Sequence, residues 1–116
     1  MIRRALLGAT LMLASVGMAA AAEPIIGRWS IDPAGCSSEG DTSATAPLIV
    51  TVNSLRWFVA RCKIGKMYKT GDAVHIQARC SAEGTHSSIP ITLVPRGDRM
   101  AVTWDGAKVE EMRRCK

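Results

Sequence analysis

The chain has 116 residues, 15 basic against 10 acidic side chains, and four cysteines. At that length a single domain is expected, and a chain this short buries a modest fraction of its surface and is marginal without added constraint. The excess of basic residues points toward acidic partners, if toward any.

Met1-Ile2-Arg3-Arg4 is a cationic start, Ala5 to Met18 an uncharged apolar run, and Ala19 to Ala22 a series of small residues. This order predicts a cleaved signal peptide over 1–22, cut after Ala22. The apolar run of 14 residues is short of the roughly 20 needed to span a bilayer. The mature domain is then 23–116, periplasmic or secreted, with a net charge of +3 once Arg3 and Arg4 are removed. Cys36, Cys62, Cys80 and Cys115 all fall within it, and an even number in an exported chain predicts two disulfides. No pair has C-x-x-C spacing and His75 and His86 are not i,i+4 partners, so no metal or other cofactor is expected. Pro33-Ala34-Gly35-Cys36 resembles the tail of a lipid-anchor motif but follows charged residues and lies far from the apolar run.

Period-two alternation runs through the mature chain and no helical period is sustained. Gly27 to Asp32 reads as a strand with Trp29 and Ile31 on one face. Pro33 to Pro47 is a polar loop, and Leu48, Val50 and Val52 alternate with Thr51 and Asn53. Asn53-Ser54 turns into a strand from Leu55 to Cys62. Lys63 to Lys69 and Ala73 to Ser81 flank a turn at Thr70-Gly71-Asp72, where glycine can take a positive φ. Ser88 to Val94 follows, and Pro95-Arg96-Gly97-Asp98 turns the chain into Met100, Val102 and Trp104. Asp105-Gly106 is a strong two-residue turn signal before a last strand near Ala107 to Arg113.

Short strands with one apolar face and tight sequential turns imply an all-β antiparallel meander, closed into an eight-stranded barrel, with a two-sheet sandwich as the alternative. If Gly71 centres its turn, Cys62 lies opposite Cys80, leaving Cys36 to Cys115. A strict meander, however, sets Cys36 and Cys115 at opposite rims. The expectation is therefore that the strand count is off by one or that the tail after Arg113 folds back. The pairing Cys36 with Cys62 and Cys80 with Cys115 stays open.

Catalytic patterns are absent: no G-x-S-x-G elbow, H-E-x-x-H or glycine-rich phosphate loop is present. His86 beside Ser87 and Ser88 reads as a solvated loop, Glu39 with Asp41 as loop hydration, and Arg96-Gly97-Asp98 as turn chemistry rather than an adhesion motif. The candidate surface is Arg56, Arg61, Lys63, Lys66, Lys69 and Arg79, with Trp57 and Tyr68 among them; such a mixture reads either as a solvated face or as a surface for an anionic envelope polymer. An exported protein seldom meets nucleic acid.

Gly27-Arg28-Trp29 is similar to the G-x-W triplet that opens the first strand of lipocalin-like (calycin) barrels. The longer pattern Gly27-x-Trp29-x-Ile31-Asp32-Pro33-x-x-Cys36, with Cys62, Cys80, Glu83-Gly84 and Arg114-Cys115, resembles a group of small exported four-cysteine bacterial proteins of unassigned activity. Periplasmic inhibitors of secreted metalloproteases resemble this chain in size and barrel start; they plug the protease with an N-terminal segment longer than Glu23 to Ile26. The chain is thus expected to be a non-catalytic binding or structural barrel of the cell envelope. One alternative is an inhibitor of an exported hydrolase. Another is a carrier of a small apolar ligand walled by Trp29, Ile76, Met100 and Trp104.

Overall fold

A computed structural model describes residues 23–37 and 46–116. The expected signal peptide, together with Glu39 and Asp41, lies outside the described residues. The described residues form nine strands: β1 (Gly27–Ser30), β2 (Leu48–Val50), β3 (Ser54–Trp57), β4 (Ala60–Thr70), β5 (Ala73–Ala82), β6 (Thr85–Arg96), β7 (Arg99–Trp104), β8 (Ala107–Lys108) and β9 (Met112–Arg114). Each of β1 to β7 pairs antiparallel with the next, β9 pairs with both β7 and β1, and β8 adds to β7. The sheet is therefore a closed eight-stranded barrel with one extra short strand, and not a two-sheet sandwich. Closure removes most of the unpaired edge that an open meander would expose.

The inward face is the alternating apolar set. Trp29, Leu48, Val50, Leu55, Cys62, Val74, Ile76, Ala78, Cys80, Ile91, Leu93, Met100, Val102 and Met112 are all buried in one core. At one end of the barrel a 3₁₀ turn over Glu23–Ile25 delivers Ile25, fully buried, into the interior. The Trp29 indole donates to the Ile25 carbonyl at 2.9 Å. Arg114 lies over the Trp29 ring at 4.2 Å and donates to the carbonyls of Ile26 (2.7 Å) and Pro24 (3.0 Å). At the other end Trp57 and Trp104, from β3 and β7 on opposite sides of the barrel, meet edge to face at 5.2 Å.

Local chemistry explains most of the turns. Glu83-Gly84 and Asp105-Gly106 carry positive φ at both residues, and Gly71 and Gly97 at the first of two; these conformations match the twist of a two-residue hairpin. The fifth such turn is different. Phe58 has φ +52° between the paired residues Trp57 and Ala60, a conformation costly for a bulky side chain. Its ring lies 4.7 Å from that of Trp57, and this contact offsets part of the cost.

Four sequence expectations need correction. Leu55 to Cys62 is not one strand: Phe58-Val59 splits it, though neither residue signals a turn. His86 lies within β6 rather than in a loop. The last strand is interrupted between β8 and β9. Ile31 lies beyond β1 and is 38% exposed, because the chain turns away at Ser30.

That turn also resolves the cysteine difficulty. The disulfides are Cys36–Cys115 and Cys62–Cys80, and neither a changed barrel count nor a folded tail is responsible. Instead the segment after β1 doubles back. Asp32 accepts the Ala34 amide on its carboxylate and the Gly35 amide and Ser30 hydroxyl on its carbonyl, starting a 3₁₀ turn over Pro33–Ser37. Cys36 thereby returns beside Arg28, whose guanidinium donates to the Cys36 carbonyl and whose own carbonyl accepts from the Cys115 amide at 2.8 Å.

Candidate functional site

Residues opposite one another in antiparallel strands share a face. Register therefore assigns each basic side chain to the inside or the outside of the wall. Ser54, Lys63, Arg79 and Ser88 are consecutive cross-strand partners over β3 to β6, and so are Arg56, Arg61, Ser81 and His86. Between these rows lies a third, Leu55, Cys62, Cys80 and Ser87. The first three members of the third row are buried in the core, so the two flanking rows project outward. Side chains two residues apart along a strand are separated by about 7 Å, and four strands span about 14 Å across. The result is a groove of about 790 Å³ on the outer wall, floored by the middle row and walled by the other two.

Arg56, Arg61, Lys63, Arg79 and His86 line it with Ser54, Ser81, Ser87 and Ser88, and none of the described lining residues is acidic. The cations concentrate on β3 to β5 and the hydroxyls on β5 and β6. The Cys62–Cys80 disulfide lies directly beneath and fixes the two central strands. Such an arrangement can attract and orient an anion. His86 and Ser87 point to opposite faces of β6, and Ser88 belongs to the neighbouring row.

The expected surface residues divide accordingly. Arg56, Arg61, Lys63 and Arg79 meet at the groove. Lys66 pairs with exposed Gln77 on the same outward face, one step further along. Lys69 pairs with buried Val74, so it belongs to the inward-facing row and projects at the barrel rim. Tyr68, 61% exposed, is outward and stacks on its cross-strand partner His75 with ring centroids 4.8 Å apart. Trp57 belongs to the inward set instead. Ser54 and Ser81 carry no signal in the sequence, and His86, Ser87 and Ser88, read there as a solvated loop, instead line the groove from β6. The signal that brings His86 opposite Ser81 is the Glu83-Gly84 turn, which fixes the β5–β6 register.

Trp29, Ile76 and Met100 are buried in the core, and Trp104 is half-buried at the mouth closed by Trp57. None of the four lines the groove. Among the described residues no three His, Cys, Asp or Glu side chains group to hold a metal ion, and no helix is long and apolar enough to cross a membrane. The two disulfides are of the kind that persists in an oxidising environment. Comparison of the chain with protein-family models, with curated proteins and with solved structures finds no match.

Proposed function

We propose that this chain is an exported, calycin-like barrel of the periplasm or extracellular space that binds an anionic partner on its outer wall and performs no catalysis. The observation that carries this reading is the groove of β3 to β6, in which the exposed cations Lys63 and Arg79 oppose one another across β4 and β5 beside His86 and the hydroxyls of Ser54, Ser81, Ser87 and Ser88. Calycin likeness is supported by Gly27-Arg28-Trp29 opening β1 of a closed antiparallel barrel with Trp29 in its core. Export is supported by residues 1–22 and by the two disulfides.

The alternatives have less behind them. An inhibitor that inserts its N-terminal segment needs that segment free, whereas Ile25 is buried and the carbonyls of Pro24 and Ile26 are held by Arg114. A carrier of apolar molecules needs interior space, whereas Trp29, Ile76 and Met100 pack against other core side chains.

The test compares two variants of equal net charge for retention on an anionic matrix as salt rises. Lys63→Glu with Arg79→Glu reverses charge in the groove; Lys69→Glu with Lys108→Glu reverses it elsewhere. The first pair is expected to elute at markedly lower salt than the second, since only clustered charges act together at a bound polyanion. Equal elution of the two variants overturns the reading.

A further inference from the structure

Tyr68 is a large ring left 61% exposed, yet it is not loosely held. One of its faces lies on His75 with an interplanar angle of 18°. The His75 ring is itself held at both nitrogens, Nε2 by the Thr70 hydroxyl at 2.6 Å and Nδ1 by the Thr92 hydroxyl at 3.3 Å. Three strands thus cooperate to present the other face of Tyr68 to solvent in a fixed orientation. A preset aromatic face loses little freedom when a flat partner is laid on it.

The position of this platform matters as much as its rigidity. It shares the outward face of β4 to β6 with the basic groove. Along β5, His75 is four residues from Arg79, about 13 Å, and Lys66 and Gln77 occupy the row between. Hydroxyl and amide groups accompany the cations throughout: Ser81 and Ser88 in the groove, and Gln77, which donates to Ser88 at 2.7 Å. A compact anion needs only the groove. A ligand that uses the whole face must be extended, must carry separated negative charges, and must offer flat apolar surface beside hydrogen-bonding groups.

Resting on the anion-binding reading above, we infer that this face holds an extended acidic polysaccharide. Its carboxylates lie against Lys63, Lys66 and Arg79, and the C–H face of one sugar ring lies on Tyr68. Single-stranded nucleic acid also combines charge with stacking, but a fold locked by two disulfides belongs where acidic glycans, not nucleic acids, are the abundant polyanions.

Intact, disulfide-bonded protein is titrated calorimetrically with polygalacturonate oligomers, neutral dextran, polyphosphate and single-stranded oligothymidine at two salt concentrations. Polygalacturonate is expected to bind best. Tyr68→Ala should weaken it about two- to tenfold, the scale of one aromatic contact, leaving the salt dependence unchanged, while Tyr68→Phe restores it. Lys63→Glu should instead reduce the salt dependence. Circular dichroism of Tyr68→Ala confirms the fold. Polygalacturonate binding indifferent to Tyr68→Ala, or polyphosphate or dextran bound as tightly, overturns the saccharide assignment and leaves the anionic groove standing. Preference for oligothymidine overturns it in favour of nucleic acid. Absence of binding to every polyanion overturns both readings.

Discussion

Cys62 faces Cys80 across β4 and β5 because Gly65 is an unpaired extra residue between them and the turn. The turn is Gly71-Asp72, enclosed by the pair Thr70 and Ala73, and counting back from it would set Cys62 opposite Ser81. Opposed residues share a face, so Cys62 and Cys80 would then point to opposite sides of the wall. The register shifts between Ile64 and Lys66, returning Cys62 to Cys80. A symmetric turn about Gly71 gives the same pairing, but the molecule reaches it by two offsets that cancel.

Deleting Gly65 therefore separates the two cysteines. The expected product, assayed with a thiol reagent under denaturing conditions, has two free thiols per chain, at Cys62 and Cys80. A deletion variant that still forms this disulfide shows that register does not control it. Gly65→Ala is a milder probe: its Cβ meets the Gln77 carbonyl oxygen at 2.8 Å. Backbone cannot retreat as a side chain can, so a loss of about 1–3 kcal/mol is expected in urea denaturation.

Arg114 joins the last strand to the first turn. Replacing it by Met removes the cation over Trp29 and both carbonyl contacts, with an expected cost of about 2 kcal/mol. Arg114→Lys should recover only part, because an ammonium cannot reproduce the two-pronged geometry. Equilibrium unfolding followed by tryptophan fluorescence measures both variants.

The two disulfides should differ in resistance to reductant. Cys62 and Cys80 are buried, at 3% and 6% exposure, whereas Cys36 and Cys115 are half-buried. Limited reduction followed by alkylation and mass mapping should label Cys36 and Cys115 first. The Cys36→Ser, Cys115→Ser variant opens a cross-link with a sequence separation of 79, and a loss of about 4 kcal/mol is expected on the chain-entropy account.

Trp57 and Trp104 close the mouth opposite the N-terminal turn. Trp104→Ala should lower stability by about 3 kcal/mol and admit an apolar dye whose fluorescence the parent protein does not enhance. Strong dye binding by the unaltered protein, displaced by apolar ligands, would instead favour the carrier reading.

Much of the barrel is legible in the chain itself. Alternation separates inward Val74, Ile76, Ala78 and Cys80 from outward His75, Gln77 and Arg79, because burial of one sheet face imposes a period of two. Turns at Gly71-Asp72 and Asp105-Gly106 are legible because positive φ favours few residue types. The Phe58-Val59 turn is not, since its backbone conformation is tolerated through ring contacts with Trp57 rather than specified by residue type.

Only the tertiary structure decides how distant segments are placed. Arg114 meets Trp29 through barrel closure, and Cys36 reaches Cys115 because a short turn after Ser30 runs back beside Arg28. The groove likewise needs four strands in register, with the Gly65 offset included. Outward side chains are free of the burial constraint that patterns the core, so their alignment into rows leaves no trace in local sequence. Local chemistry fixes which face a residue takes within its strand; pairing over long separations fixes which residues become neighbours.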